Sequence, residues 1–396
     1  MSRRIAVVGG TPALIECARG LGLDVTFVGL QNTPAAPVPD ISLDFTDCEA
    51  VVRALRPLHE QRAFDGILSL TETGLVPAAY ASAVLGVPGN SLETVLTLRD
   101  KVKMRRALGN SPELNVLSVT VRSVSDIIKF HRDIGRDVIV KPVQGQASTG
   151  VSRIANESDA QRAWDMLEAT GVQLGIAEEY LDGPEYSVEA FSHEGSHNVL
   201  AVTAKEVNEN FIEISHSMPA LLDDATYASI ERCIDAFLTR VGLVQGPSHT
   251  EIKLGNSGPR IIESHNRIGG DKIRELVLLS TGIDLLTATL RTALGNAVPP
   301  VRPRTAKGAA IRFLTASPGT LLSVETPKGL PEGVRLSVDV VAGDKIHTLR
   351  SSHDRLGYVI ATHEHASGAR ERAAETASQI VFRVAPPQME SPFSDL

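Results

Sequence analysis

The chain has 396 residues, 42% of them hydrophobic and 22% charged, and a formal net charge of −8. That length allows roughly two or three domains with a substantial buried core, and the composition is that of an ordinary soluble enzyme. The acidic excess excludes the basic footprint that nucleic-acid binding needs, and no apolar run is long enough to cross a bilayer. Cys17, Cys48 and Cys233 form no CxxC pair and have no histidine cluster at zinc spacing, so they read as small buried residues. The start, MSRRIAVVGG, enters a strand at once, and a cytoplasmic protein is expected.

The first stretch alternates strand and helix. A strand over residues 3–10 is followed by a helix from Pro12 to Leu21, a strand from Asp24 to Leu30, a helix near Glu49 to Gln61, a strand from Asp65 to Leu70 and a helix near Leu75 to Leu85. There is no GxGxxG, and no acid ends the second strand, so a dinucleotide fingerprint is not supported. The loop Thr71-Glu72-Thr73-Gly74 lies at a strand's carboxyl end, where it can touch a substrate or simply cap the next helix.

From Ser91 a charged helix runs through RDKVKMRRALG. A strand from Val116 to Val121, a helix from Ser125 to Ile134 and a strand from Asp137 to Val143 follow, the last placing Lys141 near its end. The Gly/Ser-rich stretch from Gln144 to Gly150 then leads into a strand from Val151 to Ala155. Backbone N–H groups of such a loop, with a lysine beside it, can wrap a phosphate, although an ordinary hairpin reads the same way. After a helix from Asp159 to Ala169, strands from Gly175 to Leu181 and from Glu185 to Phe191 are joined by Asp182-Gly183-Pro184. A crossing of this kind offers backbone groups to an adenine edge and Glu185 to ribose hydroxyls. A strand from Val199 to Val207 leads to a loop holding Glu213 and His216, and a helix from Asp224 to Val241 follows.

The stretch from Gly246 to Lys272 concentrates the chemistry. Strands from His249 to Leu254 and from Pro259 to Ser264 flank a Gly255-Asn256-Ser257-Gly258 turn, a hairpin that carries Glu251 on one strand and Glu263 on the other. Carboxylates converging from adjacent strands suit a hard divalent cation, while the alternative is a solvated acidic face. Arg267, Gly269 and Gly270 come next, with a helix opening at Asp271 and running to about Leu294; a rigid fork of donors and bare N–H groups near a helix start attract anions. PPVRP at 299–303 reads as a linker, and the remainder is β-rich, with a helix near Ala366 to Phe382.

Taken in order, Asp100-Lys101, VKPVQGQASTG, EEYLDGPEYSVE, HTEIK and ESHNRIGGDKI resemble the ATP-grasp superfamily, and within it the L-amino-acid ligase branch of carboxylate-amine ligases. The resemblance implies an α/β fold: a parallel pre-grasp domain over 1–90, a two-lobed grasp core with its small lobe and linker helix over 91–183 and its large lobe over 184–298, and a β-rich C-terminal lobe over 299–396. It also implies ATP and Mg2+, with Mn2+ as a possible substitute. Lys101 and Lys141 match residues on the ATP phosphates, and Gly145, Gln146, Ser148, Thr149 and Gly150 belong to the loop closing over them. Glu178, Glu179 and Leu181 match the adenine hinge and Glu185 the ribose acid. Glu251 and Glu263 match the metal ligands, Arg267 the arginine on the acyl phosphate, with Gly269 and Gly270 beside it, and Glu213 with His216 the amino-acid pocket.

One departure stands out. The family reads E-x-N-x-R, whereas here His265 fills the asparagine slot and Asn266 comes one residue late, so either could complete the metal site. The reaction implied is ATP-dependent amide or dipeptide bond formation through an acyl phosphate, releasing ADP and phosphate, between a small-molecule carboxylate and an amine, both amino acids, in a homo-oligomer such as a dimer. The alternatives are a ligase with a carrier-protein thiol as acceptor, and a nucleotide-binding regulator without turnover. No MKM-type biotinylation site is present to favour a carboxylase.

Overall fold

The computed structural model describes residues 2–31, 38–109, 111, 113–145, 149–295, 301–303 and 306–386. Its opening segment is a parallel sheet in which Arg4–Val8 lies between Asp24–Gly29 and Gly66–Leu68. Ile5, Ala6, Val7 and Val8 are all fully buried, the continuous apolar run that a parallel strand covered on both faces requires. The helices Pro12–Gly20 and Cys48–Gln61 begin where side-chain caps stand: Thr11 accepts from the Leu14 amide and Asp47 from that of Ala50. The helix Leu75–Leu85 ends on left-handed Gly86.

The sequence predicts one helix from Ser91 onward, but there are two, Leu92–Arg99 and Lys101–Leu108. Asp100 takes an extended backbone between them, and its Oδ1 accepts from the Lys103 amide, so one residue ends the first helix and caps the second. The break turns Lys101 inward, where it is buried.

A small antiparallel sheet follows, in the order Ser118–Val121, Gly175–Glu179, Val138–Pro142, Ser152–Ile154, with the helices Val124–Ile134 and Asp159–Glu168 contributing to its core. Facing it is an eight-stranded sheet. From one edge it runs Gly258–His265, Gln245–Gly255, Glu185–His193, Ser196–Val207, Glu213–Met218, Gly308–Leu314, Gly357–His363 and Val334–Val338. Glu213 and His216, expected in a loop, therefore lie on a strand inside this sheet. Polar residues made that stretch read as a loop, yet Glu213 meets Lys205 and His216 approaches Asp271 inside the protein, while Glu213 Oε2 and His216 Nδ1 are buried with no hydrogen-bond partner among the described residues. Strands after residue 306 extend the same sheet, joining the C-terminal segment to the hairpin-bearing part of the chain.

The helix expected from Asp271 to Leu294 is also two, Ile273–Thr281 and Leu285–Ala293. Gly282, with φ 76°, ends the first, and the Asp284 side chain caps the second by accepting from the Leu286 amide. Nor does the first begin at Asp271, because Asp271 and Lys272 both take left-handed backbones, φ 49° and 63°. No single helix among the described residues is long and apolar enough to cross a membrane.

Candidate active site

The hairpin forms as predicted, and its register brings the two acids together: Glu251 pairs directly with Glu263. Immediately afterwards the ladder slips, so that Ile252 faces Ile261 and the extra residue Ile262 forms a bulge. Arg105 holds the bulge open by donating from Nη1 and Nη2 to the carbonyls of Ile261 and Ile262, each at 2.9 Å.

Glu251 and Glu263 line both of two adjoining cavities. The first lies between the small and the large sheets. It gathers Lys101, Lys141, Gly145, Thr149, Leu181 and Glu185, residues that lie far apart in sequence. Lys101 Nζ contacts Glu263 at 2.7 Å; Lys141 Nζ and Arg105 Nε each contact an oxygen of Glu178 at 2.7 Å. Burial opposes ionisation of Glu178, but Arg105 and Lys141 hold its carboxyl at about 2. Lys141 moves the other way: burial, with Lys101 and Arg105 nearby, pushes its ammonium below the ordinary lysine value despite Glu178. The asymmetry follows from the partners, since Glu178 has two cations while Lys141 shares one carboxylate. Glu179 also lines this cleft and is fixed by Arg136 at 2.8 Å and by the Leu117 amide at 2.9 Å.

Gly150, with φ 73°, occupies a backbone region that favours glycine. Gln146 and Ser148, assigned to the same loop, lie outside the described residues.

Lys205 stands at the floor between the cavities. Its ammonium lies 2.9 Å from Glu185, 3.0 Å from Glu213 and 2.6 Å from Glu251. Those acids sit within 4.8 Å of one another, a spacing that would also suit a hard cation, but the lysine already contacts all three. Burial works against its charge, yet the three carboxylates raise its pKa well above the ordinary lysine value. In return Glu251, although its desolvation opposes charge, is held at about 2 by Lys205, with His249 assisting against the repulsion from Glu263. Burial likewise opposes ionisation of Glu263, and Lys101 and His265 keep it well below the ordinary value.

The second cavity contains Glu213, His216, His265, Arg267, Gly270 and Asp271, and the C-terminal segment adds Ser352 and His353. His216 is buried edge-on to Phe313, with Nε2 3.6 Å from Asp271, an ion-pair approach rather than a hydrogen bond. Arg355 stacks over Phe313 at 3.6 Å and grips both oxygens of Asp271. Burial disfavours charge on Asp271, but His216 and Arg355 hold its carboxyl well below the ordinary value.

His265 and Asn266 part company. Strand alternation puts His265 on the side of Glu263, with Nε2 3.5 Å from Glu263 Oε1 and Nδ1 3.1 Å from Glu72. Asn266 lines a separate cavity with Ile67, Leu68 and Gln245, and its buried Oδ1 has no partner among the described residues. Gly269 has a steric reason to be glycine, since a Cβ there would lie 2.6 Å from His249 Nδ1.

Several participants carry no local signal. Lys205, Arg105, Glu72 and Arg355 meet their partners across long stretches of chain, 195 residues in the case of Glu72 and Arg267. His249 sits in the HTEIK motif, and only the fold reveals its 2.8 Å contact with buried Glu189.

With oxygen donors dominant, Glu251 and Glu263 fit a hard divalent cation, and His265 is the side chain beside them in the asparagine's place.

Comparison with known proteins gives a consistent picture. Residues 134–275 match the ATP-grasp domain, 15–89 the ATP-grasp N-terminal domain and 312–385 the L-amino acid ligase C-terminal domain 2. The chain is 28% identical over 262 residues to the alanine–anticapsin ligase of Bacillus subtilis (strain 168), a match covering 60% of this chain and 55%, little more than half, of that relative's own length. It is 23% identical over 261 residues to an L-arginine-specific L-amino acid ligase of Bacillus subtilis, covering 63% of each. The crystal structure of an L-amino acid ligase from Bacillus licheniformis superposes with a TM-score of 0.80 at 24% identity, covering 97% of this chain and 99% of that one.

Proposed function

Because the chain belongs to the ATP-grasp superfamily, on its L-amino-acid ligase branch, we propose that it is an ATP-dependent carboxylate-amine ligase joining two amino acids through an acyl phosphate, with ADP and phosphate as products. The observation that carries this reading is the shared wall: Glu251 and Glu263 line both the cleft that holds Lys101 and Lys141 and the chamber that holds Arg267 and His216. A group activated on one side of that wall is presented to the other.

A carboxylate is a poor electrophile, so it must be phosphorylated before an amine can displace the activating group. In the cleft, Lys101 and Lys141 supply positive charge for phosphate oxygens, Glu185 meets the ribose and the segment from Glu178 to Leu181 borders the base. Glu251 and Glu263, with His265 beside them, would hold Mg2+ or Mn2+, whose charge would offset that of the phosphates. Arg267 aligns the phosphoryl group and the developing negative charge on the reacting carboxylate. The attacking amine must be neutral, so His216 takes its proton at the chamber wall, and Asp271, kept ionised by Arg355, stabilises the resulting imidazolium. Glu213 is a poorer base because its Oε1 already sits on the Lys205 ammonium.

Phosphate release from ATP, screened over pairs of amino acids with mass identification of the product, tests the reading. ADP, phosphate and a dipeptide in equal amounts are expected. AMP and pyrophosphate as stoichiometric products would replace it with an adenylating mechanism.

A further inference from the structure

We propose that Glu72 of the first domain is the positioning residue for Arg267, which makes the loop after the Gly66–Leu68 strand part of the reaction centre. This rests on the ligase reading for its consequence in turnover, while the contact itself can be tested without it.

Glu72 Oε2 lies 2.7 Å from Arg267 Nε and 3.1 Å from His265 Nδ1, and its Oε1 lies 3.1 Å from Arg99 Nε. One carboxylate thus meets three basic side chains, Arg99 from the helix Leu92–Arg99 and His265 and Arg267 from the end of the hairpin. Arg267 also donates from Nη1 to the Ile268 carbonyl at 3.0 Å. Two acceptors on different edges fix the plane of the guanidinium, and among the described residues its remaining N–H groups have no hydrogen-bond partner, leaving them for an anion in the chamber that Arg267 lines. Glu72 itself lines neither reaction cavity, so it acts through the residues it holds.

The loop that carries Glu72 is locked to the first sheet. Thr71 Oγ1 donates to the Gly9 carbonyl at 2.6 Å, and Ser69 Oγ accepts from the Thr71 amide at 3.1 Å. At Gly74 a Cβ would lie 2.3 Å from Ser69 Oγ and 2.4 Å from the Val8 carbonyl oxygen, so that turn cannot be widened by a side chain. The orientation of Arg267 is therefore referred to a rigid parallel sheet more than 190 residues away in sequence. His265, which lies 3.1 Å from Glu72, also approaches Glu263 at 3.5 Å.

Glutamine at position 72 keeps the shape but turns an amide NH2 toward donor groups, whereas aspartate keeps the charge and shortens the reach. A displacement of Arg267 by about 1 Å should lower kcat of Glu72→Gln on the order of a hundredfold, with the KM for ATP little changed. Glu72→Asp should fall between wild type and Glu72→Gln. In an Arg267→Lys background, Glu72→Gln should add little further loss, because both changes damage one interaction. Independently of turnover, the Arg267 Nε–H, assigned by its disappearance in Arg267→Lys, should exchange with solvent about tenfold faster in Glu72→Gln than in wild type. Losses that multiply in the double variant, or unchanged kcat and exchange in Glu72→Gln, would overturn the positioning role. If wild type forms no ADP with any substrate pair, the ligase reading falls, and the exchange rate alone decides whether Glu72 holds Arg267.

Discussion

Glu251 and Glu263 stand directly opposite each other on neighbouring strands, yet each is neutralised from a different direction: Lys205 reaches Glu251 from within the large sheet, and Lys101 reaches Glu263 from the helix across the cleft. Two partly buried carboxylates at paired positions could not both stay charged without such partners. The two carboxylates therefore stay ionised side by side, each with its own ammonium partner.

Glu263→Gln tests the proposed metal role of the pair. The amide preserves volume and still accepts from Lys101, so the fold should survive, but the site loses one of its two formal charges. Turnover should fall by at least about a hundredfold, and the Mg2+ concentration for half activation should rise. Wild-type rates at limiting Mg2+ would show the pair to be an ion-pair wall and nothing more.

Asp271 gives a pH-dependent stability with a definite sign. Its carboxyl is held below the ordinary value of 3.8, so its stabilising contribution is fully present above that pH and disappears as pH falls through the lower folded value. Asp271→Asn should therefore lower unfolding free energy by about 2 kcal/mol at neutral pH, and the difference from wild type should shrink in acid. Urea unfolding over a pH series reads this directly; a difference that grows toward acid would mean that Asp271 is not ionised in the folded protein.

His216→Ala separates the two cavities. His216 lies in the chamber with Asp271 and outside the cleft with Lys101 and Lys141. The variant should lose turnover with the amine substrate, on the order of a hundredfold, while the KM for ATP stays near wild type. Equal loss of nucleotide affinity would assign His216 to packing against Phe313.

What the sequence disclosed and what it hid divide along a physical line. The hairpin was legible because the Gly255 to Gly258 turn fixes a local register, but that register alone would set Glu251 opposite Ile262; the bulge at Ile262, which carries no local signal, is what brings Glu251 opposite Glu263. Alternating strands and helices near the start were legible for the same reason: their periodicity and caps are local. The helix breaks at Asp100 and Gly282 went unread because a capping aspartate and a left-handed glycine are tolerated within a helical pattern as well as at its ends. Glu213 and His216 read as loop residues because buried polar side chains in a central strand mimic solvent exposure unless their partners are known. Lys205, Glu72 and Arg355 acquire meaning only through contacts that the fold makes between distant segments, with Glu251, Arg267 and Asp271 respectively.

Arg267→Lys separates charge from geometry at a residue lining the second cavity. Arginine spends Nε on Glu72 and part of Nη1 on Ile268, and still offers donors to the chamber. A lysine ammonium can keep the pairing with Glu72 or turn to a ligand, but its compact head cannot span both with the fixed angles of a guanidinium. Electrostatic attraction for anionic substrates should therefore persist while alignment on the transferring phosphoryl group is lost. The expected result is a fall in kcat of about a hundred- to a thousandfold with little change in the KM for ATP, the pattern of an interaction made mainly in the transition state. Steady-state kinetics with ATP and the carboxylate varied in turn distinguishes the alternatives. Unchanged kcat with a raised KM for the carboxylate would make Arg267 a ground-state anchor for that substrate, and Glu72 would then orient a binding group instead of one that follows the reaction.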